Sequence, residues 1–517
     1  MRPVVLRFLA LFCGLAPLAA FSNFGCNAAS PSDPAAPQCK SGFRNQCVDD
    51  VAVGAGFACA KLGDRSVWCW GRNDQGQLGY PTADLCPGDL GGGQTKSIAC
   101  HTFPFQVVGL DNVSSLASGS AFSCAILVDG SVRCWGGNTL GELGNGSTLT
   151  SQSPVAVTSL AATTALAAGE HHACALASGQ VWCWGANDHG QLGVATTTTC
   201  DGGGGKVPCS KTPVVIPDLT SVVELTAGAT HTCARTSDGQ ITCWGDNRWG
   251  QLGVGDASSV PPGVLRTVHV TVDTPLDATL SISAGAAHTC ALRDGGAVYC
   301  WGRGDHRELG APPVGSGAVG CKDPCSMLAV EVAGLPSTGV AGEDAGADAT
   351  TDVGAPDEGI DTGKERDSGA DARGDTTGDV ASSDAELDAS IDDAGDSSTP
   401  MDSGSHLGAF GRVVSSGESF SCLRVDDGTV RCWGLDTVGQ LGDGRTTSEP
   451  SAPALVIASP GAEAHNPLQG VSRVRAGASS ACAILSDSSL RCWGSNQGGA
   501  LGVGHFTPQQ GPVPVSW

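Results

Sequence analysis

The chain has 517 residues, of which 75 are glycine and only 5% are aromatic, and its formal net charge is −24. This acidic balance excludes the basic surface that binding to nucleic-acid phosphates requires, and it disfavours attraction to an anionic membrane. No long stretch has apolar residues at helical spacing. The composition therefore predicts short strands joined by tight turns.

Residues 1–25 are predicted to be an export signal. Arg2 and Arg7 precede an apolar run from Phe8 to Leu18, which is too short for a permanent membrane span. Two processing routes remain open. Cleavage at residues 20–22 would release a soluble protein, whereas Gly25-Cys26 resembles the end of a bacterial lipobox, in which Cys26 is lipidated.

The cysteine count favours the lipidated form. The chain has 24 cysteines, and removing Cys13 with the signal leaves an odd number. A lipid on Cys26 leaves an even number that can all pair as disulfides. Residues 26–48 are then the tether of a cell-envelope lipoprotein. In the alternative, Cys26 is a free or intermolecular thiol and the protein is secreted.

One sequence motif recurs seven times in this chain: a Cys, eight or nine further residues, and then Cys-Trp-Gly. A unit copied in this way cannot bury its apolar face alone, so the copies must stack around one continuous core. The seven copies end at Trp70, Trp135, Trp184, Trp244, Trp301, Trp433 and Trp493.

The third copy predicts a hairpin in which two cysteines face each other. Ser178-Gly179 forms a two-residue connection, so Cys174 lies opposite Cys183 at disulfide distance. The adjacent Trp184 points to the other face of the sheet. Zinc is disfavoured, because zinc ligand pairs usually lie two to four residues apart. The same argument predicts the within-hairpin disulfides Cys59–Cys69, Cys124–Cys134, Cys174–Cys183, Cys233–Cys243, Cys290–Cys300, Cys422–Cys432 and Cys482–Cys492.

A Gly-Gln-Leu-Gly element or a close relative follows each Trp-Gly, and three insertions follow this element. Residues 80–102, 196–211 and 311–326 each carry their own cysteine pair and should emerge on one rim as binding loops. The pairs suggest local disulfides, and a fourth pair would crosslink the N-terminal segment that leads into the first copy. These pairs are Cys86–Cys100, Cys200–Cys209, Cys321–Cys325 and Cys39–Cys47.

Residues 341–405 interrupt the array between the fifth and sixth copies. They hold 19 of the 52 acidic residues and only three basic ones, with few large apolar side chains. Such a segment cannot bury enough apolar surface to fold, so it is predicted to be a disordered linker. The folded parts are then residues 49–340, with copies one to five, and 406–517, with copies six and seven.

Gly-x-x-His-x-Cys-Ala-Leu, then Asp-Gly-x-Val-x-Cys-Trp-Gly-x-Asn, then Gly-Gln-Leu-Gly resembles the regulator of chromosome condensation repeat. Residues 231–234 and 244–253 match it closely. The resemblance implies an all-β, seven-bladed β-propeller. A strand at the C-terminus and the hairpin at the N-terminus are expected to pair in one blade, which would close the ring. The family's secreted bacterial members look mostly like interaction scaffolds. No chromatin or GTPase role is carried over, because this chain has an export signal, an acidic balance and a disulfide pattern foreign to the nucleus.

No catalytic constellation is readable. The position two residues before the first hairpin cysteine is histidine in three copies and Phe or Ser in the others, which indicates a packing residue. The three histidines are His172, His231 and His288. His171 beside His172 is a weak metal candidate. We therefore expect a non-enzymatic, monomeric scaffold, without cofactor or metal, for an unidentified protein or glycan at the bacterial cell surface. It would bind no nucleic acid and would touch the membrane only through its lipid. The alternatives are a propeller lyase or glycan hydrolase with a site in the central channel, and a secreted enzyme inhibitor.

Overall fold

The computed structural model describes residues 47–89, 95–256, 264–267, 269–271, 274–310, 324–336, 412–461 and 466–517. The predicted signal, Cys26, most of the tether and the acidic linker lie outside the described residues. Apart from a single 3-10 turn at Gln497–Gly499, the described regular structure is entirely β. Among the described residues, no helix has the length and apolarity to cross a membrane.

Seven antiparallel sheets, each built from one contiguous stretch of chain, are the blades of a propeller. Blade 1 has strand order β1-β2-β3-β5-β4 and blade 3 has order β10-β11-β12-β14-β13. The other blades each have four strands in chain order: β6–β9, β15–β18, β21–β24, β25–β28 and β29–β32. This architecture confirms the prediction of an all-β, seven-bladed propeller.

The strand bounds of the first three blades are as follows: β1 Val48–Val53, β2 Phe57–Leu62, β3 Val67–Arg72, β4 Leu85–Asp89, β5 Thr95–Gln106, β6 Val113–Ser118, β7 Phe122–Leu127, β8 Val132–Gly136, β9 Ser151–Ala156, β10 Thr163–Ala168, β11 His172–Ala177, β12 Gln180–Ala186, β13 Thr199–Asp201 and β14 Lys206–Val215.

The remaining strands, including the separate two-stranded ribbon β19–β20, are β15 Val222–Ala227, β16 His231–Thr236, β17 Ile241–Gly245, β18 Arg266–Thr267, β19 His269–Thr271, β20 Thr274–Pro275, β21 Thr279–Ala284, β22 His288–Arg293, β23 Val298–Arg303, β24 Cys325–Glu331, β25 Val413–Ser416, β26 Phe420–Arg424, β27 Val430–Asp436, β28 Thr447–Leu455, β29 Val471–Ala476, β30 Ser480–Leu485, β31 Leu490–Gly494 and β32 Gln509–Pro514.

The central hairpin of each blade has the register that its turn predicts. In blade 3, Ala177 pairs with Gln180 across Ser178 and Gly179, which both have positive φ, and Cys174 pairs with Cys183. The two positive φ values suit a tight hairpin turn of the I′ type. The cysteine faces one side of the sheet and the following tryptophan faces the other.

Each repeat tryptophan connects two neighbouring blades. All seven are fully buried. The indole Nε1–H of Trp135 donates to the backbone oxygen of Gln77 in the preceding blade at 2.9 Å, and five further interfaces repeat this bond. At the seventh interface Trp70 donates to Ala500, 430 residues away along the chain, at 2.9 Å. The same contact therefore builds and closes the ring.

The expectation that the two chain ends pair within one blade is wrong. Strand β1 pairs with β2, and β32 pairs with β31, so blades 1 and 7 are each complete by themselves. The ring closes by side-by-side packing instead: Val48 N–H donates to Ser488 O at 3.1 Å, and the Trp517 ring lies 6.2 Å from the rings of Trp68 and Trp70. The prediction assigned the proline-containing strand to the following unit, whereas it pairs with the hairpin that precedes it, as β9 does with β8.

Candidate functional site

One face of the propeller, which we call the mouth face, carries most of the features that differ between copies. In blade 2, Phe122 at the start of the second strand pairs with Gly136 at the end of the third strand. The first, innermost strand also ends at this level, where Ser118 pairs with Ser123. The Gly-x-Leu-Gly loops follow the third strands and therefore lie on this face. The Asp-Gly turns between the second and third strands lie on the opposite face.

The mouth of the central channel on this face is lined mainly by backbone and small side chains. Each blade contributes three consecutive residues with glycine in the middle, and together they surround a cavity of about 320 Å³. These triplets are residues 53–55, 118–120, 168–170, 227–229, 284–286, 416–418 and 476–478. Among the described residues that line the cavity, Glu170 and Glu418 are the only charged ones, and none is histidine.

Glu170 and Glu418 give the mouth a negative charge. They come from blades 3 and 6 of the ring. Burial raises the pKa of Glu418, the charge of Glu170 raises it further, and Arg303 opposes this effect. Two carboxylates that interact across a mouth lined otherwise by uncharged residues attract a cation.

His171 lies between carboxylates of two neighbouring blades. Its Nδ1 is 3.1 Å from Oε1 of Glu142, whose side chain is only 3% exposed, and its Nε2 is 3.7 Å from Glu170. The hydrogen bond to Glu142 raises the pKa of His171, although burial opposes the shift. His171 therefore joins two neighbouring blades through its contact with Glu142.

A second histidine and carboxylate cluster occupies the loop of blade 5. Candidate ligand atoms of Asp305, His306 and Glu308 lie within 4.8 Å of one another. Arg303 holds both carboxylate oxygens of Asp305 at 2.6 Å, and burial raises the pKa of Glu308 to about 8. Because the guanidinium already balances Asp305, this cluster is best described as an ion-pair network.

The acids Glu142 and Glu308 were not singled out from the sequence, although a signal was present. Both replace glutamine in the Gly-Gln-Leu-Gly element. In each case one carboxylate oxygen accepts a backbone N–H two residues earlier, at 2.8 Å, as glutamine does in other blades. The second oxygen contacts a histidine, His171 for Glu142 and His306 for Glu308.

His172, His231 and His288 lie inside the blade interfaces and are fully buried. Their Nε2 atoms lie 2.8–2.9 Å from the hydroxyls of Thr232, Thr289 and Ser421 in the next blade. Burial lowers the pKa of His172 and His288 to about 3 and that of His231 to about 4, so all three are neutral at pH 7. They are packing residues, and none of them lines the mouth cavity.

Disulfides join every hairpin. The Cα atoms of Cys124 and Cys134 are 4.0 Å apart, and those of the other six hairpin pairs are 4.1 Å apart. The six pairs are Cys59–Cys69, Cys174–Cys183, Cys233–Cys243, Cys290–Cys300, Cys422–Cys432 and Cys482–Cys492. Two insertions carry the bridges Cys86–Cys100 and Cys200–Cys209. Cys47 and Cys325 are also disulfide-bonded, and the partners predicted for them, Cys39 and Cys321, lie outside the described residues.

The insertions emerge at equivalent points on the mouth face. Cys100, Cys209 and Cys325 pair in register with the last residue of the third strand of their blades. In blades 1 and 3 the outer strand continues past this point as a bridged hairpin, β4–β5 and β13–β14. Leu85, in the blade 1 hairpin, is 66% exposed, whereas the half-exposed Phe105 lies further along β5, where it pairs with Cys69 in the middle of β3.

These features define the class of protein by its architecture: a seven-bladed β-propeller with a charged mouth and loops on one face. Within that class, the RCC1-like domain model matches residues 19–352, and the regulator of chromosome condensation (RCC1) repeat matches residues 412–440. The chain therefore belongs to the RCC1-like family.

Similar proteins of this family are found in several contexts. The E3 ubiquitin-protein ligase HERC2 of Homo sapiens is 26% identical over 294 residues, which is 55% of this chain and 5% of HERC2. The ultraviolet-B receptor UVR8 of Arabidopsis thaliana is 26% identical over 268 residues, 51% of this chain and 54% of UVR8. The chain thus spans about half the length of UVR8 and a small part of HERC2.

Solved structures support the fold. Prp20p from Saccharomyces cerevisiae has a TM-score of 0.57 and 17% identity, covering 91% of this chain and 88% of Prp20p. Human WBSCR16 has a TM-score of 0.58 and 19% identity, covering 87% of this chain and 95% of WBSCR16. Prp20p has been characterised for its binding to Gsp1p and histones.

Proposed function

We propose that this chain is an exported, lipid-anchored RCC1-like propeller that binds another protein through its mouth face and catalyses no reaction. The observation that carries the proposal is the mouth itself, a cavity with two glutamates on the face from which the disulfide-bridged hairpins emerge. Binding residues concentrate on loops held by a rigid scaffold. Protein binding is also described for Prp20p, which shares the fold.

The contact surface is proposed to include the blade 1 hairpin and the mouth glutamates. Leu85 is 66% exposed in β4 of this hairpin, where it pairs with Ala99 of β5. An exposed apolar side chain on a bridged hairpin suits the apolar centre of a protein interface. Glu170 and Glu418 suit a basic side chain of the partner at the channel mouth.

The binding test compares variants that differ only in which face they alter. Leu85→Ser is expected to reduce capture of the partner from the native cell envelope by at least tenfold, because this exposed side chain supplies apolar contact. Val128→Ser is the matched control, since Val128 is 54% exposed in a turn on the opposite face. Capture would be quantified with the mature chain as bait, after far-ultraviolet circular dichroism confirms that each variant is folded. Equal capture by both variants would contradict a binding role for the mouth face.

The anchoring proposal has its own measurement. Intact mass of the mature protein is expected to show Cys26 as the first residue with a lipid attached, and Cys26→Ser is expected to move the protein from the membrane fraction to the soluble fraction. The even number of remaining cysteines and the disulfide-rich ring support an oxidising compartment. A mature chain that begins near residue 23 with an unmodified Cys26 would leave a secreted protein instead.

A further inference from the structure

Five blades share one asparagine that organises the loop after the third strand. Its side-chain oxygen accepts the N–H of the leucine five residues later, and its side-chain nitrogen donates to oxygen atoms further along the loop. In blade 2, Asn138 donates to the carbonyls of Ser147 and Leu149, and in blade 7 Asn496 donates to those of His505 and Thr507. The five residues are Asn73, Asn138, Asn187, Asn247 and Asn496.

Blade 6 has an aspartate in this position and so lacks the donor. Asp436 is fully buried, and its Oδ1 accepts the N–H of Leu441 at 3.1 Å, as the asparagines do. Its Oδ2, which takes the place of the amide nitrogen, has no hydrogen-bond partner. By the spacing in blades 2 and 7, the loop carbonyls facing it belong to Arg445 and Thr447. Thr447 is the register partner of Asp436 in the β27–β28 pair.

A second carboxylate, that of Asp443, interacts electrostatically with Asp436. Asp443 occupies the position of Asn145, whose Oδ1 lies 3.5 Å from the amide nitrogen of Asn138 in blade 2. Burial raises the pKa of Asp436 to about 7, and the charge of Asp443 contributes to this shift. By these repeat positions, blade 6 combines two carboxylates with backbone carbonyls, where five other blades place an amide N–H donor. A set of oxygen acceptors without a donor is satisfied only by a cation or a proton.

We propose that the blade 6 loop binds a calcium ion between the carboxylates of Asp436 and Asp443, with loop carbonyls as further ligands. Carboxylate and carbonyl oxygens in an irregular loop suit the flexible oxygen coordination of Ca²⁺ better than the strict octahedron of Mg²⁺. Extracellular calcium modules bind with dissociation constants of roughly 10⁻⁴–10⁻³ M, and we expect this range here. The site stabilises the ring and does not depend on the identity of the partner.

The test uses the whole mature chain and the metal alone. At pH 7.5, Ca²⁺ at several times the expected dissociation constant should raise the melting temperature of the wild type by several degrees, while equal Mg²⁺ has a much smaller effect. Asp436→Asn restores the amide donor of the other blades, so this variant should fold well and lose the calcium response. Asp443→Asn should weaken it. Asp129→Asn, in an exposed turn on the opposite face, is the control and should keep it.

Two results would overturn the calcium site. One is a calcium response that persists unchanged in Asp436→Asn, which would place the ion elsewhere, for example at Asp305 and Glu308. The other is a wild type that ignores calcium but gains stability relative to Asp436→Asn as the pH falls from 8 to 6. In that case a proton on Asp436 satisfies the loop carbonyls, and the loop is not a metal site.

Discussion

Acidification from pH 7 to pH 4.5 is expected to destabilise this propeller strongly through three buried histidines. The pKa values of His172 and His288 are lowered to about 3 and that of His231 to about 4, chiefly by burial. The unfolded chain takes up these protons near pH 6.5, whereas the folded ring cannot. Stability from the neutral histidines is therefore complete above pH 6.5 and is lost as the pH falls toward the folded pKa values.

The expected size of this acid effect is large. One unit of pKa shift corresponds to about 1.4 kcal/mol, so two pH units below the unfolded pKa remove nearly 3 kcal/mol per histidine and roughly 8 kcal/mol for the three. The triple variant His172→Phe, His231→Phe, His288→Phe should lose most of this acid sensitivity. Phenylalanine already occupies the equivalent position at Phe57, Phe122 and Phe420, and Thr232 keeps its own hydrogen bond to Gln191 O at 3.0 Å.

Denaturant unfolding of the wild type and the triple variant at pH 7.5, 6.0, 5.0 and 4.5 measures the effect. The converse variant Phe420→His is the matched control and should make the ring more sensitive to acid. It buries a fourth imidazole, and the neighbouring blade presents Ala481 there in place of a hydroxyl side chain. Parallel pH profiles for the wild type and the triple variant would show that other groups govern acid unfolding.

Ser480→Phe is expected to destabilise the ring by about 3 kcal/mol, although phenylalanine is common at this position in other blades. In six blades a histidine or phenylalanine ring fills the space beside the mouth glycine, for example His172 beside Gly169. In blade 7 the residue is Ser480, and the Cγ1 atom of Val53 from blade 1 fills the corresponding space beside Gly477. The six equivalents of Val53 are all alanine or serine: Ser118, Ala168, Ala227, Ala284, Ser416 and Ala476.

A double-mutant cycle tests this exchange across the closing interface. Val53→Ala alone should cost about 1–3 kcal/mol through the cavity it leaves, and Ser480→Phe alone should cost a similar amount through overlap. The double variant should recover most of both losses, because it recreates the packing of the other six interfaces. A coupling energy near zero would mean that the side chains at positions 53 and 480 do not compete for one space.

The blade hairpins could be predicted from the sequence because their determinants are local. The length of the turn around Ser178-Gly179 sets the pairing of Cys174 with Cys183, and adjacent residues on a strand must face opposite sides. The positions of the three insertions followed in the same way. The assignment of strands to blades could not be predicted in this way. A periodic pattern gives the length of a repeat but not where one blade ends and the next begins.

The candidate site was harder to predict because its residues meet across blades. Glu142 and His171 lie 29 residues apart, and their contact depends on how two blades pack. Glu308 and Asp436 were visible as departures from the repeat, but their burial, and the orphaned oxygen of Asp436, depend on the three-dimensional course of a loop. The same holds for Glu170 and Glu418, which share the mouth only because the ring is closed.

By itself the sequence determined the number of blades, the hairpin register and the opposite faces of cysteine and tryptophan, because each follows from short-range geometry repeated seven times. Only the tertiary structure decided how the ring closes, with Trp70 bonded to Ala500 and Val53 filling the space beside Gly477. Those contacts join residues more than 400 positions apart, and their energies depend on packing in space, which no local pattern encodes.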